Sequence, residues 1–135
     1  MAAPDLEIVR AAGRKPTLAG GPTFSYSGSD GVGLLAVGRG HEVGVDLERW
    51  REVPEASALV ARYFTPAERA RWLAEGGGGG VAFLRSWTRL EATLKARGTG
   101  LAALDGDRST EPAGIEVHDL DLVPGFAAAL AIDLG

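Results

Sequence analysis

Three carboxylates and a lysine stand out for their spacing. Val43-Gly44-Val45-Asp46-Leu47-Glu48 alternates with period two. As a strand it sends Val43, Val45 and Leu47 to one face and Asp46 and Glu48 to the other. Two carboxylates on one strand face repel each other unless a cation or a basic group lies between them. Magnesium prefers oxygen ligands and keeps several waters, so two or three protein carboxylates are enough to hold it. The plainer reading is a solvent-facing strand end, and spacing alone leaves both open. Glu91 and Lys95 are four residues apart, which makes them neighbours on one helix face. Alone they read as a surface ion pair worth roughly 0.3–0.5 kcal/mol. Leu84, Trp87 and Thr88 flank the same edge, however, and set the pair beside a buried stripe. His41 and His118 have no partner at metal-ligand spacing and read as surface or edge positions. The glycine run Gly76–Gly80 lacks the lysine and hydroxyl residue of a phosphate loop.

The elements that must carry these residues follow from pattern. Leu6 to Arg10 reads as a short strand and Gly13 to Pro16 as a turn. Pro22 to Gly38 is extended, with a break near Ser27 to Gly31 where Gly, Ser and Asp favour a turn. Val32 to Val37 is apolar enough for a buried strand, and Gly38 to Glu42 reads as a hairpin turn leading into the acidic strand. Pro54 to Phe64 is weakly helical, with apolar positions at Ala58, Leu59, Ala61 and Tyr63. Thr65-Pro66-Ala67-Glu68 is a capping box with proline at the first helical position, and its helix is expected to run to about Glu75. Five glycines cannot hold a helix, so Gly76–Gly80 is expected to be a mobile loop. Val81 to Arg97 forms the strongest helix, with Phe83, Trp87, Leu90 and Leu94 on one stripe and Gly98 as its C-terminal cap. After a loop through Pro112, Ile115 to Leu122 and Phe126 to Leu134 read as a strand pair around Pro124-Gly125. Strands, helices, then strands predict an α+β fold: an antiparallel sheet packed against a long helix, in one domain over residues 1–135.

Composition limits the function classes. The chain of 135 residues is 45% hydrophobic and 24% charged, a globular balance. No apolar run approaches the roughly 20 residues of a membrane span, and the first ten residues lack the pattern of a secretory signal. There is no cysteine, hence no disulfide framework or thiolate chemistry, and a cytoplasmic location is the default expectation. A net charge of −4 speaks against a nucleic-acid partner, although Arg10, Arg14, Lys15 and Arg39 give the first 40 residues a basic bias.

Taken together, the motifs resemble the 4'-phosphopantetheinyl transferase family, in the surfactin-synthetase type. VGVDLE and the later WTRLEATLKARGTGL are similar to that family's strand motif and to its Trp-Ser/Thr-x-Lys-Glu-Ala-x-x-Lys helix. Lys15-Pro16-x-Leu18, Phe24 to Asp30, Phe64 to Glu68 and Pro124-Gly125-Phe126 fit in order. The resemblance implies the family's half fold and transfer of 4'-phosphopantetheine from coenzyme A to a serine of an acyl or peptidyl carrier protein. It implies that Asp46, Glu48 and Glu91 hold Mg2+ and that Glu91 and Lys95 are catalytic. Lys15, Ser27 and Lys95 would bind coenzyme A. Two positions depart from the pattern: a histidine is replaced by Gly28 and a lysine by Leu90, which removes two phosphate contacts. The chain is also short for the type and leaves room for a homo-oligomer. Three readings stay open: a transferase, a descendant that kept the fold for another ligand or reaction, and a structural subunit.

Overall fold

The computed structural model describes residues 8–9, 17–18, 21–104 and 113–135. Arg10, Arg14, the Gly13–Pro16 turn, Lys15 with its proline, and the loop at Pro112 lie outside the described residues. The strands are β1 (Ile8–Val9), β2 (Thr17–Leu18), β3 (Thr23–Ser29), β4 (Val32–Gly38), β5 (Glu42–Arg49), β6 (Ile115–Leu120) and β7 (Phe126–Asp133). The helices α1 (Ala56–Tyr63), α2 (Pro66–Ala74) and α3 (Val81–Arg97) separate β5 from β6, and a 3-10 turn, Leu101–Leu104, follows α3. All paired strands are antiparallel, in the groups β1-β2, β3-β4 and β5-β7-β6. This is the expected α+β architecture with a long helix against a sheet. No helix among the described residues is long and apolar enough to cross a membrane.

Helix α3 seats directly on the central sheet because the contact is made of small residues. Ala92 and Ala96 of α3 meet Ala129 and Ala131 of β7 in one buried cluster. A Cβ at Gly44 would collide with the Ala92 carbonyl oxygen, so only glycine lets β5 lie against the helix backbone. On its other side α3 builds the main core, where Phe83, Leu90 and Leu94 pack with Val60 of α1, Phe64 and Trp72 of α2. Phe83 stacks on Phe64 and on Trp87 with centroids 6.2 and 5.6 Å apart, distances at which ring pairs add to burial. Leu90 is 2% exposed. Of the expected apolar positions on α1, Tyr63 is buried and Leu59 half-buried, while Ala58 and Ala61 are exposed; Ala56 and Val60 complete the buried face.

Helix α2 begins with the predicted capping box: Glu68 N donates to Thr65 Oγ1 and Thr65 N donates to Glu68 Oε1, at 3.1 and 2.8 Å. The glycine run after it is tied down by hydrogen bonds that the composition did not indicate. Gly77 N donates to Trp72 O, Trp72 Nε1 to Gly78 O and Val53 N to Gly79 O, all within 2.9 Å. Gly76, Gly77 and Gly78 take positive φ, so the glycines serve a tight, bonded turn.

Three further expectations need correction. The turn between β3 and β4 is confined to Asp30-Gly31, so Ser27, Gly28 and Ser29 are strand residues. Strand β4 is not buried: its residues alternate between half-buried and exposed, and Leu35 and Val37 are open to solvent. Finally, Gly38–Glu42 does not close a hydrogen-bonded hairpin, because β4 pairs with β3 and β5 with β7.

Candidate functional site

The β3–β4 hairpin is fastened to the edge of β5 by serine hydroxyls. Ser25, Ser27 and Ser29 share one face of β3 by period two, and their Oγ atoms accept from Val45 N, Leu47 N and Arg49 N at 3.1, 3.1 and 3.4 Å. These hydroxyls take the place of a neighbouring strand's carbonyls and satisfy the edge of β5. Ser27 does one thing more: its hydroxyl donates to Asp46 Oδ1 at 3.2 Å.

Asp46 points from β5 toward α3, on the same side as Gly44, and is 6% exposed. Lys95 reaches across from α3, donating to Val45 O at 2.9 Å and to Asp46 Oδ1 at 3.2 Å. The lysine therefore bridges to the strand rather than pairing with Glu91 along its own helix. Asp46 Oδ2 is buried and has no hydrogen-bond partner among the described residues. Burial drives the Asp46 carboxyl above the usual range; the Lys95 charge opposes this and Glu48 reinforces it. The net rise shows that one ammonium does not offset the lost hydration.

Glu91 is half-buried on the same side of α3. Its carboxyl is also pushed up, first by burial and then by the Asp46 charge, with Lys95 opposing and Glu48 adding to the rise. Glu48 is held outward, its Oε2 accepting from Arg51 Nη1 at 2.9 Å. The structure thus gathers Asp46, Glu91 and Lys95 and leaves Glu48 at the margin. Among the described residues no three His, Cys, Asp or Glu side chains converge as a closed metal-ligand set. Thr88, fully buried, donates to Arg85 O at 2.9 Å, and Trp87 packs on Phe83 and Tyr63. Both act on the helix.

The two departures from the motif pattern have visible consequences. Leu90 lies in the main core, so no cation stands at that position. At residue 28 the space is not open, as the missing side chain suggests. A Cβ at Gly28 would lie 2.8 Å from Tyr26 Oη, and one at Gly33, its cross-strand partner, 3.1 Å from it. The Tyr26 phenol lies across both glycines.

A family model described as the 4'-phosphopantetheinyl transferase superfamily matches residues 42–127, from the acidic strand to the start of β7. The chain belongs to the 4'-phosphopantetheinyl transferase superfamily. Among curated relatives of this superfamily, the 4'-phosphopantetheinyl transferase HetI of Nostoc sp. is 35% identical over 124 residues, taking in 83% of this chain and 52% of HetI. A Synechocystis sp. protein named as a 4'-phosphopantetheinyl transferase is 34% identical over 82 residues, 60% of this chain and 33% of its own length. The chain thus spans about half of HetI.

Two contributors escaped the sequence reading. The serine ladder had a signal, Ser-x-Ser-x-Ser at strand period, though only Ser27 was singled out. Arg89 had none. It is 8% exposed and lies inside the superfamily's helix motif, but its partners, Glu75 and Asp119, are 14 and 30 residues away.

Proposed function

We propose that this chain transfers the 4'-phosphopantetheine arm of coenzyme A to a serine of an acyl or peptidyl carrier protein, with Mg2+ as cofactor. The observation that carries the reading is the under-compensated pair Asp46 and Glu91, set in a superfamily motif and sharing one lysine. Among the described residues Asp46 Oδ2 has no partner, and burial pushes both carboxyls up, with Glu48 adding to each and Asp46 to Glu91. Such a site accepts a hard cation. Mg2+ is commonly held by one or two carboxylates plus substrate phosphates and water, so Asp46 and Glu91 suffice, with Glu48 as a third donor once it leaves Arg51. When bound, the cation would neutralise charge on the pyrophosphate.

The chain's own groups then divide the work. The carrier serine oxygen bonds to the pantetheine-bearing phosphorus, the pyrophosphate bridge breaks, and the adenosine bisphosphate leaves with the electron pair. Glu91 accepts the serine proton, directly or through water. Lys95 sets Asp46 and has a third proton to offer a phosphate oxygen. Ser27 acts beneath the surface, since its hydroxyl is used by Leu47 N and Asp46, and Lys15 serves the nucleotide end of coenzyme A. A homo-oligomer belongs to the same reading, with light scattering as its check.

The test is incubation with coenzyme A, Mg2+ and a set of apo carrier proteins, followed by intact mass measurement. A carrier gaining the phosphopantetheine mass is the expected result. No modification of any carrier, together with no coenzyme A binding, defeats the proposal. Leu90 in the core and Tyr26 over Gly28 favour a second reading, a descendant that binds a carrier or pathway intermediate without transfer. Carrier binding without a mass gain would select it.

A further inference from the structure

The side of α3 opposite Glu91 and Lys95 carries a second ionic cluster. Arg89 Nε and Nη2 donate to the two oxygens of Asp119 at 2.7 Å each, and Nη1 and Nη2 donate to the two oxygens of Glu75 at 2.8 and 3.1 Å. One guanidinium thus joins three elements: the C-cap of α2, the middle of α3 and β6. Arg71 completes the set from α2, 3.1 Å from Glu75 and 3.7 Å from Asp119. Two bidentate pairs fix the plane of the guanidinium as well as its place.

The contact between α3 and the sheet does not fix the helix in the same way. Near Glu91 it consists of Gly44, Ala92, Ala96, Ala129 and Ala131. Such a surface permits close approach, yet offers few large side chains to lock rotation or sliding by interdigitation. Leu90 and Leu94 pack this part of the helix into the main core, and its directional polar restraints come from Lys95 on one side and Arg89 on the other. Arg89 precedes Glu91 by two residues and Lys95 by six, so a small rotation about the Arg89 latch changes how both meet Asp46.

We propose that Arg89 is a positioning residue: by clamping α3 to Glu75 and Asp119 it sets the helix rotation that brings Glu91 and Lys95 to Asp46. It touches none of those three groups and acts through the helix. The claim concerns the geometry of the site; its Mg2+ readout rests on the proposed function, and its spectroscopic readout does not.

The test uses the combined variant Arg89→Met with Glu75→Gln and Asp119→Asn. It removes all three charges together and leaves no carboxylate stranded, a replacement that proteins often accept without loss of stability. Arg89→Lys, which keeps the charge but loses the fork, is the second variant, and Arg71→Ala is the control. Lys15 and Lys95 are the only lysines in the sequence, so the Lys95 ammonium 15N resonance is assigned by one Lys15→Arg variant. In metal-free protein we expect this resonance to move toward that of a solvated lysine in the combined variant and in Arg89→Lys, while the fold is retained. Mg2+ affinity by calorimetry is expected to fall at least tenfold in both and to stay within twofold in Arg71→Ala. An unchanged Lys95 resonance in a folded variant overturns the positioning role, whatever Mg2+ does. Absence of Mg2+ binding in the wild type counts against the proposed function alone, and the Lys95 signal then decides. If neither variant folds, Arg89 serves stability only and the proposal is lost.

Discussion

The two sides of α3 are both ionic and are built on opposite terms. Around Arg89, the chain answers its own charges: hydrogen bonds to the guanidinium hold Glu75 and Asp119 below the usual carboxylate range. Around Asp46, burial prevails over the single lysine, both acids are pushed up, and one buried carboxylate oxygen has no partner among the described residues. A compensated cluster ties elements together. An under-compensated one is the arrangement in which ligand and catalytic sites are often found.

The comparison breaks most visibly at Arg89. Arg89→Met alone leaves Glu75 and Asp119 with only the exposed Arg71 and is expected to cost about 3 kcal/mol of stability, the low end for a broken buried pair because Asp119 remains partly solvated. Urea unfolding measures it. Nearly as large, and specific to the other side, is stabilisation by ligand. Mg2+ at about a hundred times its dissociation constant should add about 2.7 kcal/mol to the wild type; Asp46→Asn and Glu91→Gln should lose that gain in a melting experiment. Gly44→Ala inserts a methyl group between β5 and α3 and is expected to cost roughly 1–3 kcal/mol by overpacking, with Mg2+ affinity falling as the helix lifts.

The pH dependence of stability sharpens the contrast because the two sides have opposite signs. Glu75 and Asp119 are lowered in the fold, so they stabilise it above their ordinary values of 4.5 and 3.8 and lose this as pH falls through the depressed values. Asp46 and Glu91 are raised. Their penalty is absent below 3.8 and 4.5, grows as pH rises toward the raised values, and persists at neutral pH. Urea midpoints measured against pH should therefore show a weaker acid-side loss in Asp119→Asn. Glu91→Gln should show a smaller decline on the neutral side. The smallest effect is expected at Thr65→Ala, about 1 kcal/mol for the lost cap, with Mg2+ binding unchanged.

How far these features were legible depends on the range of the interaction behind each. The Thr65–Glu68 box and the start of α2 are local hydrogen bonds and were readable from four residues. The period of Val43 to Glu48 gave the shared face of Asp46 and Glu48, because alternation is a backbone property. It did not give their fates, since Lys95 and Arg51 decide those. Strand β4 was misread as buried because an uninterrupted run of small and apolar residues carries no alternation. For the glycine run, propensity excludes a helix without showing the bonds to Trp72 and Val53. Motif resemblance located Leu90 and Gly28 as departures, but only packing showed that Leu90 joins the core and that Tyr26 covers Gly28.

On the proposed function, the Asp46–Glu91 side awaits a cation while the Arg89 side is complete. Calorimetric titration of Mg2+ into the wild type, Asp46→Asn, Glu91→Gln and Arg71→Ala tests it most directly. Saturable binding is expected in the wild type, loss in Asp46→Asn and Glu91→Gln, and retention in Arg71→Ala. Equal binding in all four proteins, or none in the wild type, would contradict it.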